Sequence, residues 1–215
     1  KEEVKIKYIA FVKKEIQGAE GGNDWWHIER VWKNAKLIAA SEDVNIFIVE
    51  LGVLLHDIAD AKFYDGDENI GTEKARNFLE RFSVEKEIID HVENIIRNIS
   101  FKGGNNTTTF YSPELAVVRD ADRLDAMGAI GIARAFNYGG FKNREIYNPS
   151  IPPNLNMDKD SYRKNDAPTI NHFYEKLLIL KDRMHTVTGK KLAEDRHAFM
   201  VKYLEQFYLE WEGKK

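Results

Sequence analysis

The stretch VELGVLLHDIADAK, residues 49–62, places an imidazole and a carboxylate at the end of a strongly apolar run. Burial of an ionised carboxylate is very unfavourable unless the group is paired or bound to a metal, so Asp57 requires a partner. His56 stands beside it in the chain. The two side chains could converge on one cation at the edge of a helix, although a hydrogen-bonded pair in the core would explain the dipeptide equally well.

Two further ligands would have to come from distant parts of the chain. His27 shares a helical face with Arg30 and is the best second nitrogen donor. Asp122, within the sequence DADRLD, is the best second oxygen donor, although spacing alone leaves Asp120 and Asp125 open. Two imidazoles and two carboxylates with open coordination positions suit a divalent cation.

A third carboxylate favours the metal interpretation over the simple core pair. We predict a helix from Ile46 to Asp60, in which Asp60 lies one turn after His56 on the same face. In that position the Asp60 carboxylate would hold a water molecule against the cation.

The elements that position these residues are predicted to be helices. Apolar residues recur at helical spacing in nearly every long segment, and no segment alternates between hairpin turns, so we expect an all-α fold. We predict a single domain over residues 1–215, with metal-site helices in 24–136, an irregular flap in 139–168 and C-terminal helices in 169–212. The flap holds four of the five prolines, and long structureless connections of this kind are usually functional or disordered.

Local signals predict several boundaries within this helical arrangement. Asn23 or Asp24 should cap the second helix, Ser83 the fifth, and Ser112 the sixth, which is expected to continue through residues 117–136. Four apolar side chains of the second helix are expected to face the core: Trp26, Val31, Leu37 and Ile38.

Composition excludes several classes of function. The net charge is −3, and the 32 Lys and Arg residues are scattered, which leaves little electrostatic footprint for a nucleic-acid polymer or an anionic membrane. The absence of Cys excludes disulfides and thiolate-bound zinc. No apolar stretch approaches 20 residues and no signal peptide is present, so we expect a cytoplasmic enzyme or binding protein.

The order His27, then His56 and Asp57, then Asp122 is similar to the H...HD...D signature of the HD-domain superfamily of metal-dependent phosphohydrolases. Three longer stretches extend the resemblance over most of the chain: DWWHIERV at 24–31, LLHDIADAK at 54–62 and DADRLDAMGAIGIARAF at 120–136. These stretches resemble the small bacterial and archaeal branch of the superfamily, whose members include nucleotide pyrophosphohydrolases.

The resemblance implies a helical bundle in which two His and two Asp hold one divalent ion, and it selects Asp122 among the three candidate carboxylates. Mn²⁺ or Mg²⁺ is the expected ion, with Fe²⁺, Co²⁺, Ni²⁺ and Zn²⁺ as alternatives. It also implies that Asp60 positions or deprotonates the attacking water. Many relatives have Glu at this position, and Asp is shorter, so it is an open question whether the Asp60 carboxylate reaches the water. Asp125 could orient one of the histidines without itself binding the ion, or it could be a solvated helix carboxylate.

The reaction that the resemblance implies is attack of a metal-bound water on the phosphorus of a small phosphorylated molecule, with a nucleotide as the expected substrate. A bound cation lowers the pKa of its water from about 15.7 towards ~7 in the best zinc cases, and it polarises a phosphoryl oxygen. Lys62, Arg123 and Arg30 could neutralise charge that develops on the phosphoryl oxygens. A surface lysine is the alternative for Lys62, and a solvated helix face is the alternative for Arg30.

Two other functions stay open on the sequence. A di-iron oxygenase of the same fold would need additional histidines, and His91 is the one placed to contribute, although an exposed or capped helix residue is the favoured interpretation of His91. A non-catalytic metal or nucleotide sensor would keep the ligands as a clamp, and the presence of Asp60 and Lys62 argues against it. The sequence indicates no particular oligomeric state.

Overall fold

The computed structural model describes residues 2–16, 24–58, 69–99, 110–156 and 165–215, with side chains from Ile6 onward. Within these ranges the chain forms nine α-helices and one 3₁₀ helix and contains no β-strand, which confirms the all-α prediction. The helices are α1 Glu2–Glu15, α2 Trp25–Ala39, α3 Ile46–Leu55, α4 Asn69–Arg81, α5 Lys86–Ile99, α6 Pro113–Asp125, α7 Gly128–Phe141, α8 Thr169–Glu175 and α9 Val187–Trp211, with the 3₁₀ helix Leu177–Arg183 between α8 and α9. None of the described helices combines the length and apolar composition needed to cross a bilayer.

The chain divides into two compact units, Lys1–Ala121 and Asp122–Lys215, with the boundary inside α6. In the first unit α3 is the central helix and contacts α1, α2 and α5. Its residues from Leu51 to Leu55 are all buried, as expected for a helix that is apolar on every side. A Cβ at Gly52 would lie 3.2 Å from Ile95 and 3.3 Å from Val118, so the glycine permits close approach of α3 to α5 and α6.

Helix α2 buries a different set of side chains from the one predicted. Val31 and Ile38 are fully buried as expected, but Trp26 is 62% and Leu37 54% exposed, so the prediction for these two residues was wrong. The buried stripe follows the three- and four-residue spacing of one helical face: Ile28, Val31, Ala35 and Ile38. Trp26 and Leu37 each lie two positions from a stripe residue, about 200° around the helix.

The third helix ends earlier than predicted. It stops at Leu55, and residues 56–58 form a turn, so the predicted continuation through His56 and Asp57 was wrong. The carbonyl of Val53, which a continuing helix would use to accept from the Asp57 amide, lies 2.7 Å from Nδ1 of His56. The His56 ring therefore supplies a donor to this carbonyl at the point where the helix ends. Asp60, together with Lys62, lies outside the described residues.

The caps of two other helices agree with the sequence signals. The Asp24 carboxylate accepts from the amide of His27 at 3.0 Å and caps α2. Ser112 Oγ accepts from the amide of Leu115 at 3.0 Å and caps α6, with Pro113 at the first helical position. These caps satisfy backbone donors that have no partner inside the helix.

Ser83 ends α4 instead of capping α5, so its predicted role was wrong. Its amide donates to the carbonyl of Glu80 at 3.0 Å, and the amide of Val84 donates to that of Leu79 at 3.2 Å. These two bonds form a Schellman motif, whose penultimate residue adopts a left-handed conformation. The φ of Ser83 is accordingly 52°, a conformation that glycine or asparagine adopts with less strain.

Replacing Ser83 with glycine should therefore stabilise the protein by about 0.5 kcal/mol, because relief of the left-handed strain exceeds the entropy that glycine adds to the unfolded chain. Urea unfolding measures the change. Asn143→Gly is the matched control, since Asn143 ends α7 with a φ of 54° and asparagine already tolerates this region. A loss of stability in Ser83→Gly larger than that in the control would contradict the argument.

The predicted sixth helix is divided in two. Helix α6 ends at Asp125, Ala126 and Met127 form a turn, and α7 begins at Gly128, so the continuous helix expected through residues 117–136 was wrong. The φ of Gly128 is +67°, which changes the direction of the chain at a residue that has no Cβ to oppose it.

In the second unit, α9 contacts α7 and the 3₁₀ helix, and α8 contacts the same two elements. The described residues 142–156 and 165–168 carry no helix, and hydrogen bonds fasten them to α8. The amide of Thr169 donates to the carbonyl of Glu145 at 2.9 Å. The Glu175 carboxylate accepts from the Asn154 amide at 3.0 Å and from Asn165 Nδ2 at 2.8 Å. One carboxylate thus holds two separated parts of the predicted flap.

A histidine in this unit should make stability depend on pH. Loss of hydration, together with repulsion from Lys176 and Arg144, lowers the pKa of His172 to about 3. In the unfolded chain a histidine has a pKa of about 6.5, so between these two values the unfolded state binds the additional proton. Stability contributed by neutral His172 is therefore complete above about pH 6.5 and is lost as the pH falls towards 3.

We expect the free energy of unfolding to fall by about 1–2 kcal/mol between pH 7 and pH 5, and we expect His172→Gln to flatten this decrease. Urea unfolding at each pH provides the measurement. Carboxylates with a lowered pKa, such as Asp90 beside Lys86 and Arg76, change the stability at more acidic pH. Their effect on the unfolding free energy is therefore separate from that of His172. An unchanged slope in the variant would refute the assignment to His172.

Candidate metal centre

Three side chains of the first unit converge with their ligand atoms facing one another. His27 comes from the first turn of α2, and His56 and Asp57 from the turn directly after α3. The two Nε2 atoms lie 3.3 Å apart, and Oδ2 of Asp57 lies 3.6 Å from Nε2 of His27 and 3.9 Å from that of His56. Within the described parts of the chain this is the one group of three such side chains close enough to share an ion.

The two histidines of this cluster are buried, and the aspartate is partly exposed. His27 is 1% and His56 7% exposed, whereas the Asp57 side chain is 26% exposed. The cluster therefore has two buried nitrogen donors and one oxygen donor that reaches solvent. Catalytic metal sites likewise combine buried ligands with a coordination position that water or substrate can reach.

Local backbone geometry orients both imidazoles. Nδ1 of His56 donates to the carbonyl of Val53, which places the proton on Nδ1 and leaves the lone pair of Nε2 directed at His27 and Asp57. The Asp24 cap fixes the start of α2, from which His27 projects. A hydrogen bond from the second ring nitrogen to a carbonyl is the usual way in which proteins orient a metal-binding histidine.

The donor set and its spacing fit a divalent cation. Neighbouring ligands of an ion bound at about 2.1 Å lie roughly 3.0 Å apart in an octahedral shell and roughly 3.4 Å apart in a tetrahedral one. The shortest observed distance, 3.3 Å, lies within this range, and the longest, 3.9 Å, exceeds it by about half an ångström. Two ring nitrogens and a carboxylate oxygen that face one point also repel one another unless a proton or a cation lies between them.

The other predicted site residues have the following positions. Asp122 is half-buried in the last turn of α6 and is the first residue of the second unit, and its role as a ligand stays a prediction. Arg30 is half-buried on α2, one turn after His27. Arg123 Nη1 donates to the carbonyl of Arg183 and lies 3.2 Å from Nε2 of His185, so the 3₁₀ segment supports its guanidinium.

Asp125 is buried and forms an ion pair with Arg134, at 2.9 Å between Nη1 and Oδ2. The alternative of a solvated helix carboxylate was therefore wrong, because a carboxylate at this depth requires such a partner. The ion pair connects the last residue of α6 to α7. A second role for Asp125 in orienting a histidine stays a prediction.

His91 belongs to the structure that begins α6. Its Nε2 lies 2.8 Å from Ser112 Oγ and 3.5 Å from Oε2 of Glu114, and its ring meets that of Phe110 edge to face. Glu114 also accepts from the amide of Asn45 at 2.9 Å. Through these contacts His91 holds α5 against the start of α6.

Comparison with known proteins identifies the family. Residues 25–127, which include His27, His56, Asp57 and Asp122, match the family model for the HD domain. YpgQ of Bacillus subtilis is 39% identical to this chain over 186 residues, which cover 86% of this chain and 82% of YpgQ. The chain belongs to the HD-domain family.

Solved structures are similar to this chain over nearly its whole length. A crystal structure of an HD-superfamily hydrolase from Bacillus thuringiensis has a TM-score of 0.77 and 44% identity, and covers 98% of both chains. A crystal structure of Bacillus subtilis YpgQ in complex with ADP has a TM-score of 0.72 and 36% identity, and covers 94% of both. The similarity to the HD domain inferred from the sequence motifs is thereby confirmed, and it supports a hydrolase of the metal-dependent phosphohydrolase type.

Proposed function

We propose that this HD-domain protein hydrolyses a phosphate ester or phosphoanhydride bond of a nucleotide in a reaction that depends on a divalent metal ion. The observation that carries the proposal is the convergence of His27, His56 and Asp57, because these residues occupy the signature positions and present three ligand atoms to one point. The complex of YpgQ with ADP supports a nucleotide as the class of substrate.

The ligand set is proposed to be His27, His56, Asp57 and Asp122, with Mn²⁺ or Mg²⁺ as the ion. The first three lie together in the first unit, and Asp122 is added because its position matches the last aspartate of the family signature. Two carboxylates balance the charge of a divalent ion, and two imidazoles raise its affinity. When bound, the ion lowers the pKa of water and withdraws charge from a phosphoryl oxygen.

The remaining residues of the proposed site act on protons and on phosphate charge. Asp60 accepts the proton of the attacking water, whose oxygen forms a bond to phosphorus while the bond from phosphorus to the leaving oxygen breaks. That proton then passes to the leaving group. Arg30, Arg123 and Lys62 are proposed to bind the phosphoryl oxygens, and the support of Arg123 by the Arg183 carbonyl restricts its guanidinium to few orientations.

A screen of nucleotides and metals tests the function. The protein is stripped with a chelator, refilled separately with Mn²⁺, Mg²⁺, Fe²⁺, Co²⁺, Ni²⁺ or Zn²⁺, and incubated with nucleoside and deoxynucleoside mono-, di- and triphosphates. Detection of phosphate and of pyrophosphate identifies the bond that is cleaved. We expect release of phosphate or pyrophosphate with at least one metal, and no release by the stripped protein. Absence of phosphate and pyrophosphate release across the complete panel would contradict the proposal.

Two further measurements on the same preparations would support the alternative functions. ADP binding that depends on metal but leads to no hydrolysis would favour a nucleotide sensor. Close to two irons per chain and oxygen consumption would favour a di-iron oxygenase, although His91, the candidate for a second iron, is engaged with Ser112 and Glu114.

A further inference from the structure

A polar contact joins the helix that carries His27 to the end of α6. Asn34 lies seven residues after His27 on α2, two turns along nearly the same face. Its Nδ2 donates to the carbonyl oxygen of Ala121 at 3.3 Å, across a separation of 87 residues in the chain. A carbonyl oxygen has two lone pairs, so Ala121 can accept this bond in addition to its helical one.

Three buried side chains near this contact are apolar. Val31 and Ala35 flank Asn34 on α2, Val118 lies one turn before Ala121 on α6, and all three are fully buried. Apolar contacts are not directional, so they set the distance between two helices better than the position of one along the other. A hydrogen bond between a fixed amide and a fixed carbonyl specifies that position, as single polar residues do in other helical interfaces.

The geometry points to Asn34 as a positioning residue for the metal centre. Ala121 directly precedes Asp122 in the same helix, so anchoring the Ala121 carbonyl to α2 also anchors the backbone that carries the proposed fourth ligand. Asn34 thereby restrains the backbone position that immediately precedes Asp122. This inference rests on the proposed function, because it requires Asp122 to be a ligand.

Asn34→Leu tests the inference, because leucine has a similar size and no donor. We expect the Kd for Mn²⁺, measured by calorimetry on chelator-stripped protein, to rise about tenfold, as happens when a group that orients a ligand is lost. We expect kcat to fall while the KM for the nucleotide changes little, since the proposed role of Asn34 acts through Asp122 and not on the substrate. Asn34→Gln retains an amide donor on a longer side chain and should restore part of the affinity.

Lys74→Met is the matched control. It removes another polar contact between helices of the same unit, the 2.8 Å ion pair from Lys74 of α4 to Glu15 of α1, and neither helix carries a proposed ligand. A purely structural role for Asn34 would make the two variants alike, with a lower Tm and an unchanged Kd. The increase in Tm on addition of Mn²⁺ provides the same comparison for a variant that is folded only at low temperature.

The outcomes separate this inference from the proposed function. If the unsubstituted protein binds Mn²⁺ and Asn34→Leu binds it with the same Kd, the positioning role is refuted and the hydrolase proposal stands. If the unsubstituted protein binds no divalent ion, both are refuted. A raised Kd in Asn34→Leu, its partial recovery in Asn34→Gln and an unchanged Kd in Lys74→Met would support the inference.

Discussion

Asp57→Ala should abolish stable binding of the divalent ion and lower turnover by on the order of a thousandfold, since an ion at such a site contributes several kcal/mol to transition-state stabilisation. Asp57 supplies the carboxylate of the described cluster, with Oδ2 3.6 Å and 3.9 Å from the two histidine nitrogens. Without Asp57 only the carboxylate of Asp122 would remain in the proposed ligand set, so half of the charge of a divalent cation would be unbalanced beside two buried imidazoles. Metal content after dialysis and kcat on the best nucleotide measure the effect.

Two further variants distinguish loss of the ligand from damage to the fold. Asp43→Ala removes an exposed carboxylate between α2 and α3, and it should retain metal and activity. Asp57→Asn keeps the size of the side chain but loses its charge, and it should resemble Asp57→Ala more than the unsubstituted protein. In the absence of metal, all variants should unfold within a few degrees of one another. Full metal occupancy and turnover in Asp57→Ala would exclude Asp57 as a ligand.

Arg76→Met should lower the free energy of unfolding by about 3 kcal/mol, because it leaves the buried carboxylate of Glu93 without its cation. Nε and Nη2 of Arg76 donate to the two oxygens of Glu93 at 2.9 Å and 2.6 Å, and Nη2 also donates to Asp90 at 2.8 Å. These hydrogen bonds raise the pKa of Arg76 well above its usual value, so its guanidinium stays charged at any working pH. The pair connects α4 to α5.

Urea unfolding of a double-mutant cycle measures this contribution. Glu93→Leu in the Arg76→Met background should recover much of the lost stability, since an apolar pair of similar volume carries no desolvated charge. Lys86→Met is the control, because Lys86 pairs with Asp90 across one exposed helical turn and such pairs contribute about 0.5 kcal/mol or less. Equal losses in Arg76→Met and Lys86→Met would show that the buried pair contributes no more than a surface one.

Features that depend on residues within about four positions of one another were accessible from the sequence. The helical class follows from apolar spacing, and the caps at Asp24 and Ser112 follow from side chains that reach amides three residues away. His56 and Asp57 were identified because polar groups at the end of an apolar run require partners whatever the fold around them. His27 was selected from the helical face that it shares with Arg30, and the structure brings its Nε2 within 3.3 Å of that of His56. The selection of Asp122 needed the family signature in addition.

Features that depend on competition between partners were decided by the tertiary structure. The third helix ends at Leu55, where the ring of His56 bonds the Val53 carbonyl, and helical periodicity contains no information about that contact. Trp26 and Leu37 are exposed because the neighbouring helices cover another face of α2. The contact of Asn34 with Ala121 spans 87 residues and that of Arg76 with Glu93 spans 17. Such pairs arise only when packed helices bring a donor and an acceptor together, so composition and spacing determined which residues could do chemistry, and packing determined which of them meet.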